Sequence, residues 1–265
     1  MARCLIVSRK SVKKFLRGAL YTVIGLAVLM VGSVWVLGVM RHADAAPEAL
    51  TALVPGDDVA VEQGRYIVLR PRRNAEKMGV IFYPGAYVDA RGYATTLRPV
   101  AAAGYRVVIV PMPMEFAMFG LNRVFDVQAD FPDIQRWALV GHSLGGAMAA
   151  TFASNHPDAL AGLVVWDSYP ASAASLANYP RPVWHVHRAT PDGKPPAAFA
   201  ARRNLFPPDS QWLPIPGGIH MYFGSFDGGG YQEDWAPSIS RDAEQQLVIA
   251  ATVRALDSIA AGAPR

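Results

Sequence analysis

A single cysteine, Cys4, occurs in 265 residues. No intramolecular disulfide can staple the chain, so its stability rests on packing. Cys4 has no second cysteine or metal-spaced partner nearby and does not close a lipoprotein-like small-residue motif. Nowhere do His, Asp and Glu gather at metal-ligand spacing, so the sequence calls for no metal, and no organic cofactor is implied. Charge is also sparse: 17% of residues are charged while 52% are hydrophobic. That balance excludes a disordered chain and allows a well-filled core. No internal repeat and no low-complexity segment is present.

The formal charge of +4 would suit a polyanionic partner if it were spread over the chain. It is not. The first 17 residues hold Arg3, Arg9, Lys10, Lys13, Lys14 and Arg17 and no acid, which leaves 19 of the 25 basic residues against 21 acids elsewhere, a charge of about −2. No Lys/Arg-rich stretch interleaved with aromatics follows, so nucleic acid is not an expected partner.

Residues 18–40 contain no charge. As a helix they would span roughly 34 Å, enough for a bilayer hydrocarbon core of about 30 Å. The cationic flank predicts a single pass through the cytoplasmic membrane, with the N-terminus inside and the body outside. Two outcomes stay open: an uncleaved anchor, favoured because a signal peptide's apolar region is normally shorter, and cleavage after Ala45 at the small-x-small run Ala43-Asp44-Ala45, which would release the body. The expected organisation is a basic tail at 1–17, the membrane segment at 18–40, a Pro/Gly-containing linker at 41–60 and one body at 61–265.

Within the body, short β-rich runs alternate with helical stretches. Strands are expected at Arg65–Leu69, Gly79–Tyr83, Arg106–Val110, Trp137–Val140, Leu163–Trp166, Val183–Val186 and Gln211–Ile215. Helices are expected at Tyr93–Ala103, Leu144–Ser154 and Arg241–Ala260. This alternation predicts an α/β fold with a mostly parallel sheet and helices on both faces. The intervening segments are too short for a large lid domain.

The chemistry concentrates in Gly141-His142-Ser143-Leu144-Gly145. A strand enters this run and the small-residue helix Gly145-Gly146-Ala147-Met148-Ala149-Ala150 leaves it. Such a turn forces the serine into a strained conformation with Oγ exposed, and the flanking glycines relieve crowding. Ser143 is therefore the expected nucleophile. Its base should come last in chain order. His42 is juxtamembrane, His156 ends the elbow helix, and His185 and His187 alternate within a strand. His220, on the loop Pro216-Gly217-Gly218-Ile219-His220, remains. Two carboxylates follow strands between Ser143 and His220: Asp192, in the turn Thr190-Pro191-Asp192-Gly193, and Asp167, directly after Trp166. Asp192 is the favoured acid and Asp167 the alternative; Asp158 and Asp209 belong to the opposite sheet edge. For the oxyanion, the backbone N–H of Leu144 and that of Ala86, in the loop Pro84-Gly85-Ala86-Tyr87, are the expected donors.

Residues 79–262 resemble a bacterial family of small, lidless α/β-hydrolases. The matching runs are Phe82-Tyr83-Pro84-Gly85, Gly104 to Pro113, Gly141 to Gly146, Ser168-Tyr169-Pro170-Ala171, Leu205 to Asp209, and Gly217-Gly218-Ile219-His220-Met221-Tyr222-Phe223-Gly224. The resemblance implies the α/β-hydrolase fold and a Ser143–Asp192–His220 triad with Ala86 and Leu144 as oxyanion donors. Two positions depart from the family pattern: Ile219 stands where an Asn usually precedes the base, and Arg188 where a glycine usually opens the acid-bearing turn. The second keeps Asp167 open as the acid. The expected activity is hydrolysis of a small-molecule or lipid-like ester. Acyl transfer on the same triad, and a non-catalytic binding protein with this fold, are the alternatives.

Overall fold

Helix and strand choices follow from burial. In the computed structural model, which describes residues 9–262, the chain forms two units, Met1–Arg41 and His42–Arg265. Cys4, the start of the basic tail and the last three residues lie outside the described residues. The first unit is one helix, α1 (Arg9–Arg41), with an apolar stretch, Leu16–Ser33, long enough to cross a membrane. Leu20, Ile24, Val28, Leu29 and Met30 on it are all exposed, the pattern of a surface that water does not suit.

The second unit opens with β1 (Ala43–Ala45) and α2 (Pro47–Thr51), followed by β2 (Val59–Gln63), β3 (Ile67–Pro71) and β4 (Met78–Tyr83). Residues 41–60, expected as a linker, are thus built into the body: Ala43, Ala46 and Ala49 are buried, and β1 pairs with a late strand. Their sequence reads as a linker because three-residue strands carry no periodic signal. The remaining elements are α3 (Ala94–Ala102), β5 (Tyr105–Ile109), α4 (Arg123–Asp130), β6 (Trp137–His142), α5 (Leu144–Asn155), β7 (Gly162–Trp166), β8 (Val183–Ala189), α6 (Ala197–Ala200), β9 (Gln211–Pro216), β10 (Phe226–Gly228) and α7 (Arg241–Ala260).

Eight strands form one sheet in the order β2-β3-β5-β4-β6-β7-β8-β9, while β1 and β10 make a separate antiparallel pair. β2 and β3 are antiparallel to their neighbours; from β5 to β9 every pairing is parallel. The central strands are buried throughout, as parallel strands covered on both faces must be. Val80 and Phe82 face one core layer with α3 and α7; Ile81 and Tyr83 face the other with α4 and α5.

This topology positions the site. From β4 the chain crosses to β5 on one side, then returns through α4 to β6 on the other. The carboxyl ends of β4 and β6 therefore flank a point where strand order reverses, and ligands of open α/β sheets bind in that crevice.

Candidate active site

Ser143 sits at the carboxyl end of β6 as the N-cap of α5, with φ 54° and ψ −125°. A non-glycine residue held here is strained, and the surrounding structure must enforce it. Gly145 shows how. A Cβ at this position would collide with the carbonyl oxygens of Tyr83 and Pro84, so only glycine lets α5 start this close to the end of β4. Leu144 is the first residue of α5, and its N–H belongs to the helix's unpaired amino-terminal set. Ala86 follows Gly85, where a Cβ would lie 3.4 Å from Ser143 Cβ. The Gly85 N–H donates to Tyr93 Oη (3.0 Å), which is 2.7 Å from His142 Nδ1. Tyr93 thus links the Gly85 N–H to the imidazole of His142. Burial lowers the pKa of His142 well below its ordinary value, which keeps the ring neutral.

His220 follows β9 and is buried. Its Nδ1 lies 2.5 Å from Asp167 Oδ2. Asp167, also buried, stands immediately after β7 with φ 43°, and its Oδ1 accepts the Arg188 N–H at 2.9 Å. The Arg188 guanidinium pairs with Asp167 Oδ2 as well, and its Nη1 is 3.3 Å from His220 Nδ1, two donors converging on one oxygen. Burial opposes ionisation of Asp167, but the hydrogen bond and charge of His220 and the charge of Arg188 outweigh it and hold the carboxyl below the usual carboxylate range.

Asp192, expected as the acid, is not brought to His220. It is exposed, paired with Lys194 Nζ (2.7 Å) and Thr190 Oγ1 (2.5 Å) in the turn after β8. The Thr-Pro-Asp-Gly turn closes on itself and spends its carboxylate locally. The position beside His220 belongs to Asp167, the alternative from sequence.

Carboxylates also hold the backbone of the base loop. Glu244 Oε2 accepts the Ile219 N–H (2.8 Å), while Glu233 accepts the N–H groups of His220 (2.9 Å) and Met221 (2.8 Å). The Tyr231 ring stacks on His220 at 4.1 Å. Burial pushes the Glu244 carboxyl up to about 8. The folded chain thus keeps a proton that the unfolded chain releases above about 4.5. The stability this contributes is complete below that value and is lost as pH rises towards 8. The expected outcome is a Tm that falls by roughly 5–10 °C between pH 5 and pH 9, and that falls markedly less in Glu244→Gln. Parallel curves for the two proteins in thermal melts would refute it.

Ser143, Leu144, Asp167 and His220 line one cavity of about 720 Å3, together with the aromatic side chains of Tyr169, Phe199, Tyr231 and Trp235. The ring nitrogens of His142 and His220 and a carboxylate oxygen of Asp167 all lie within 4.8 Å of one another. This cluster suits a cation poorly. Its one carboxylate already pairs with the Arg188 guanidinium and accepts from His220.

The sequence profile of the alpha/beta hydrolase family matches residues 79–246. The chain belongs to the alpha/beta hydrolase family. Solved structures share this hydrolase fold at low identity. Est1E from Butyrivibrio proteoclasticus, with ferulic acid bound, aligns with a TM-score of 0.53 at 12% identity, covering 76% of this chain and 97% of that one. A bacterial membrane phospholipase A aligns with a TM-score of 0.53 at 13% identity, over 91% and 99% of the two chains. A ferulic acid esterase from Streptomyces cinnamoneus aligns with a TM-score of 0.52 at 17% identity, over 71% and 68%. In sequence, a protein of Mycobacterium phage D29 that carries a non-heme haloperoxidase name is 30% identical over 98 residues, so the chain spans about a third of that relative's length.

Sequence reasoning did not single out several residues that shape the hydrolase site. Arg188 was legible as a lone cation in the otherwise apolar and histidine-bearing strand β8. Tyr93, Glu233 and Glu244 carried no local signal, because each meets its backbone partner across a loop rather than within one element.

Proposed function

We propose that this alpha/beta hydrolase is a membrane-tethered serine esterase, with Ser143 as nucleophile, His220 as base and Asp167 as the acid that orients it. One observation carries the reading: a histidine buried against an ionised carboxylate shares a cavity with a strained elbow serine. His220 Nδ1–H donates to Asp167, which leaves Nε2 to take the Ser143 Oγ proton as Oγ attacks the ester carbonyl. The N–H groups of Leu144 and Ala86 then hold the oxyanion, aided by the amino terminus of α5. His220 returns its proton to the leaving alkoxide, and water attacks the acyl-enzyme by the same route. Relatives of the same fold that are named as a ferulic acid esterase and a membrane phospholipase A favour an ester as substrate.

The apolar stretch of α1 and its cationic flank support a retained anchor with the body outside the cytoplasm. β1 supports retention further. Cleavage after Ala45 would remove buried Ala43, whose N–H donates to Tyr87 O (2.8 Å) and whose carbonyl accepts from Asp89 N (2.9 Å). Tyr87 follows Ala86 directly and Asp89 soon after, so a cleaved body would lose the brace beside its own oxyanion donor.

One measurement reads both parts. The chain is expressed with its natural N-terminus, purified from membranes and treated with a fluorophosphonate, then weighed intact. The expected mass is that of the uncleaved chain plus one phosphonyl group, absent in Ser143→Ala. An unlabelled parent chain would sink the catalytic reading, and a mass beginning at Ala46 would sink the tether.

A further inference from the structure

The segment between β5 and α4 carries an apolar surface that the catalytic reading does not use. Met114, Met118 and Phe119 are each more than half exposed. Met114 and Glu115 are consecutive non-glycine residues at positive φ (53° and 60°), and Tyr87 across from them has φ 59°. Among the described residues the other non-glycine positions at positive φ are Ser143 and Asp167, the proposed nucleophile and acid. Strain of this kind persists only where the structure enforces it, and it gathers at functional places. Here it turns Met114 outward while Glu115 turns back into the body.

What Glu115 turns back to is informative. Its Oε2 lies 2.9 Å from Nδ1 of His42, the residue that follows α1 in the chain. A second link runs in parallel: the Ala43 N–H donates to Tyr87 O, and the Tyr87 ring meets the Phe116 ring edge-on at 4.7 Å. The exposed apolar loop is therefore pinned at two points to the first two residues of the body. If α1 crosses the bilayer, those residues lie where the chain leaves it, and the loop must lie there too.

We propose that residues 113–119 form a lipid-docking surface, with Met114, Met118 and Phe119 seated in the interfacial layer of the phospholipid bilayer. This rests on the reading of α1 as a retained anchor. Large apolar side chains at a membrane exit are stabilised by burial among headgroups and upper acyl chains. The nearby charges permit it, because they occur as pairs: His42 with Glu115, and Asp89 with Arg91. Two charges stand apart from these pairs: exposed Asp44, which lies within reach of His42 (3.2 Å), and Arg123 beside Gly120, a cation that suits anionic headgroups. Behind the loop lies a second cavity of about 450 Å3, walled by His42, Glu115, Met112, Val88, Pro84 and Gly85. Pro84 and Gly85 belong to the oxyanion loop, so the docked face borders the site. Docking would present the site's mouth to esters held in the membrane.

The test uses the full chain in phosphatidylcholine–phosphatidylglycerol vesicles, with Cys4 replaced by serine. An environment-sensitive fluorophore is attached through Met118→Cys or, as control, through Asp158→Cys, an exposed position beyond α5. Lipids with a nitroxide near the headgroup are expected to quench the probe at 118 about threefold more than the probe at 158. Equal quenching would overturn the proposal. So would disulfide cross-linking of two chains through position 118, since that assigns the patch to a second copy. A triple variant, Met114→Ser, Met118→Ser and Phe119→Ser, should lose about tenfold in hydrolysis of a vesicle-embedded ester while changing less than about twofold on a soluble short-chain ester. Unchanged vesicle activity, or equal losses on both substrates, would count against docking. The earlier readings fail separately: without a retained anchor the full chain does not float with vesicles, and without catalysis at Ser143 the quenching difference persists.

Discussion

Asp167→Asn is expected to lower kcat by about 10⁴-fold, while Asp192→Asn stays within about twofold of the parent enzyme. The asymmetry follows from what each carboxylate touches. Asp167 accepts from His220 Nδ1 at 2.5 Å inside the protein. An amide there can offer its N–H to the imidazole, which places the ring proton on the wrong nitrogen and removes the anion that stabilises imidazolium. Asp192 is exposed and holds Lys194 and Thr190 in its own turn, an arrangement worth little in water. Arg188 complicates the first variant, since losing the Asp167 charge leaves its buried guanidinium paired with the carboxylate of Asp234 (2.7 Å) and without that of Asp167. Some loss of stability should therefore accompany Asp167→Asn. Steady-state kinetics well below each variant's Tm separate the two effects. Similar mild losses in both variants would mean that neither carboxylate orients the base.

Gly145→Ala should be nearly as damaging by a different route. The added methyl meets the carbonyl oxygens of Tyr83 and Pro84, and backbone on both sides leaves no flexible side chain to yield. Overpacking of this kind costs about 1–3 kcal/mol or more, a fall in Tm of roughly 2–10 °C for a body of this size. The catalytic cost is expected to be larger. Relief requires α5 or the Pro84–Tyr87 loop to retreat, and these carry the N–H groups of Leu144 and Ala86 proposed to hold the oxyanion. A misplacement of about 1 Å can cost about 10²-fold in rate, so kcat/KM should fall by at least that factor while KM changes little. A variant with parental kcat would show that the loop and the elbow are not in the close contact described.

Ser143 and His220 were legible as candidates without any tertiary contact. A serine between glycines, entered by a buried strand and left by a small-residue helix, states its own backbone geometry, and His220 was reached by chain order and elimination. The sheet was legible for a similar reason: continuous apolar runs such as Leu163–Trp166 have one stable use in an α/β chain. β1 was not, because three residues with one buried face resemble a loop, and its partner β10 lies more than 180 residues away.

The acid shows the boundary most clearly. Asp167 and Asp192 both follow strands and both precede His220, so order and spacing alone leave two candidates. Their difference is one of partners. Lys194 and Thr190 are near Asp192 in sequence and satisfy it in solvent, whereas His220 and Arg188 are distant from Asp167 and reach it only once β7, β8 and the base loop lie side by side. The amino-acid order by itself singled out Ser143 and His220 as candidates and predicted the α/β layering, since the elbow and the strands are contiguous runs with their own backbone preferences and burial, and His220 follows from chain order. The tertiary structure alone decided which carboxylate meets His220, that Ala43 is hydrogen-bonded to Tyr87 and Asp89 beside Ala86, and that Met114, Met118 and Phe119 sit where the chain enters the body. Each of those is a contact between segments far apart in sequence, and only the folded sheet brings them together.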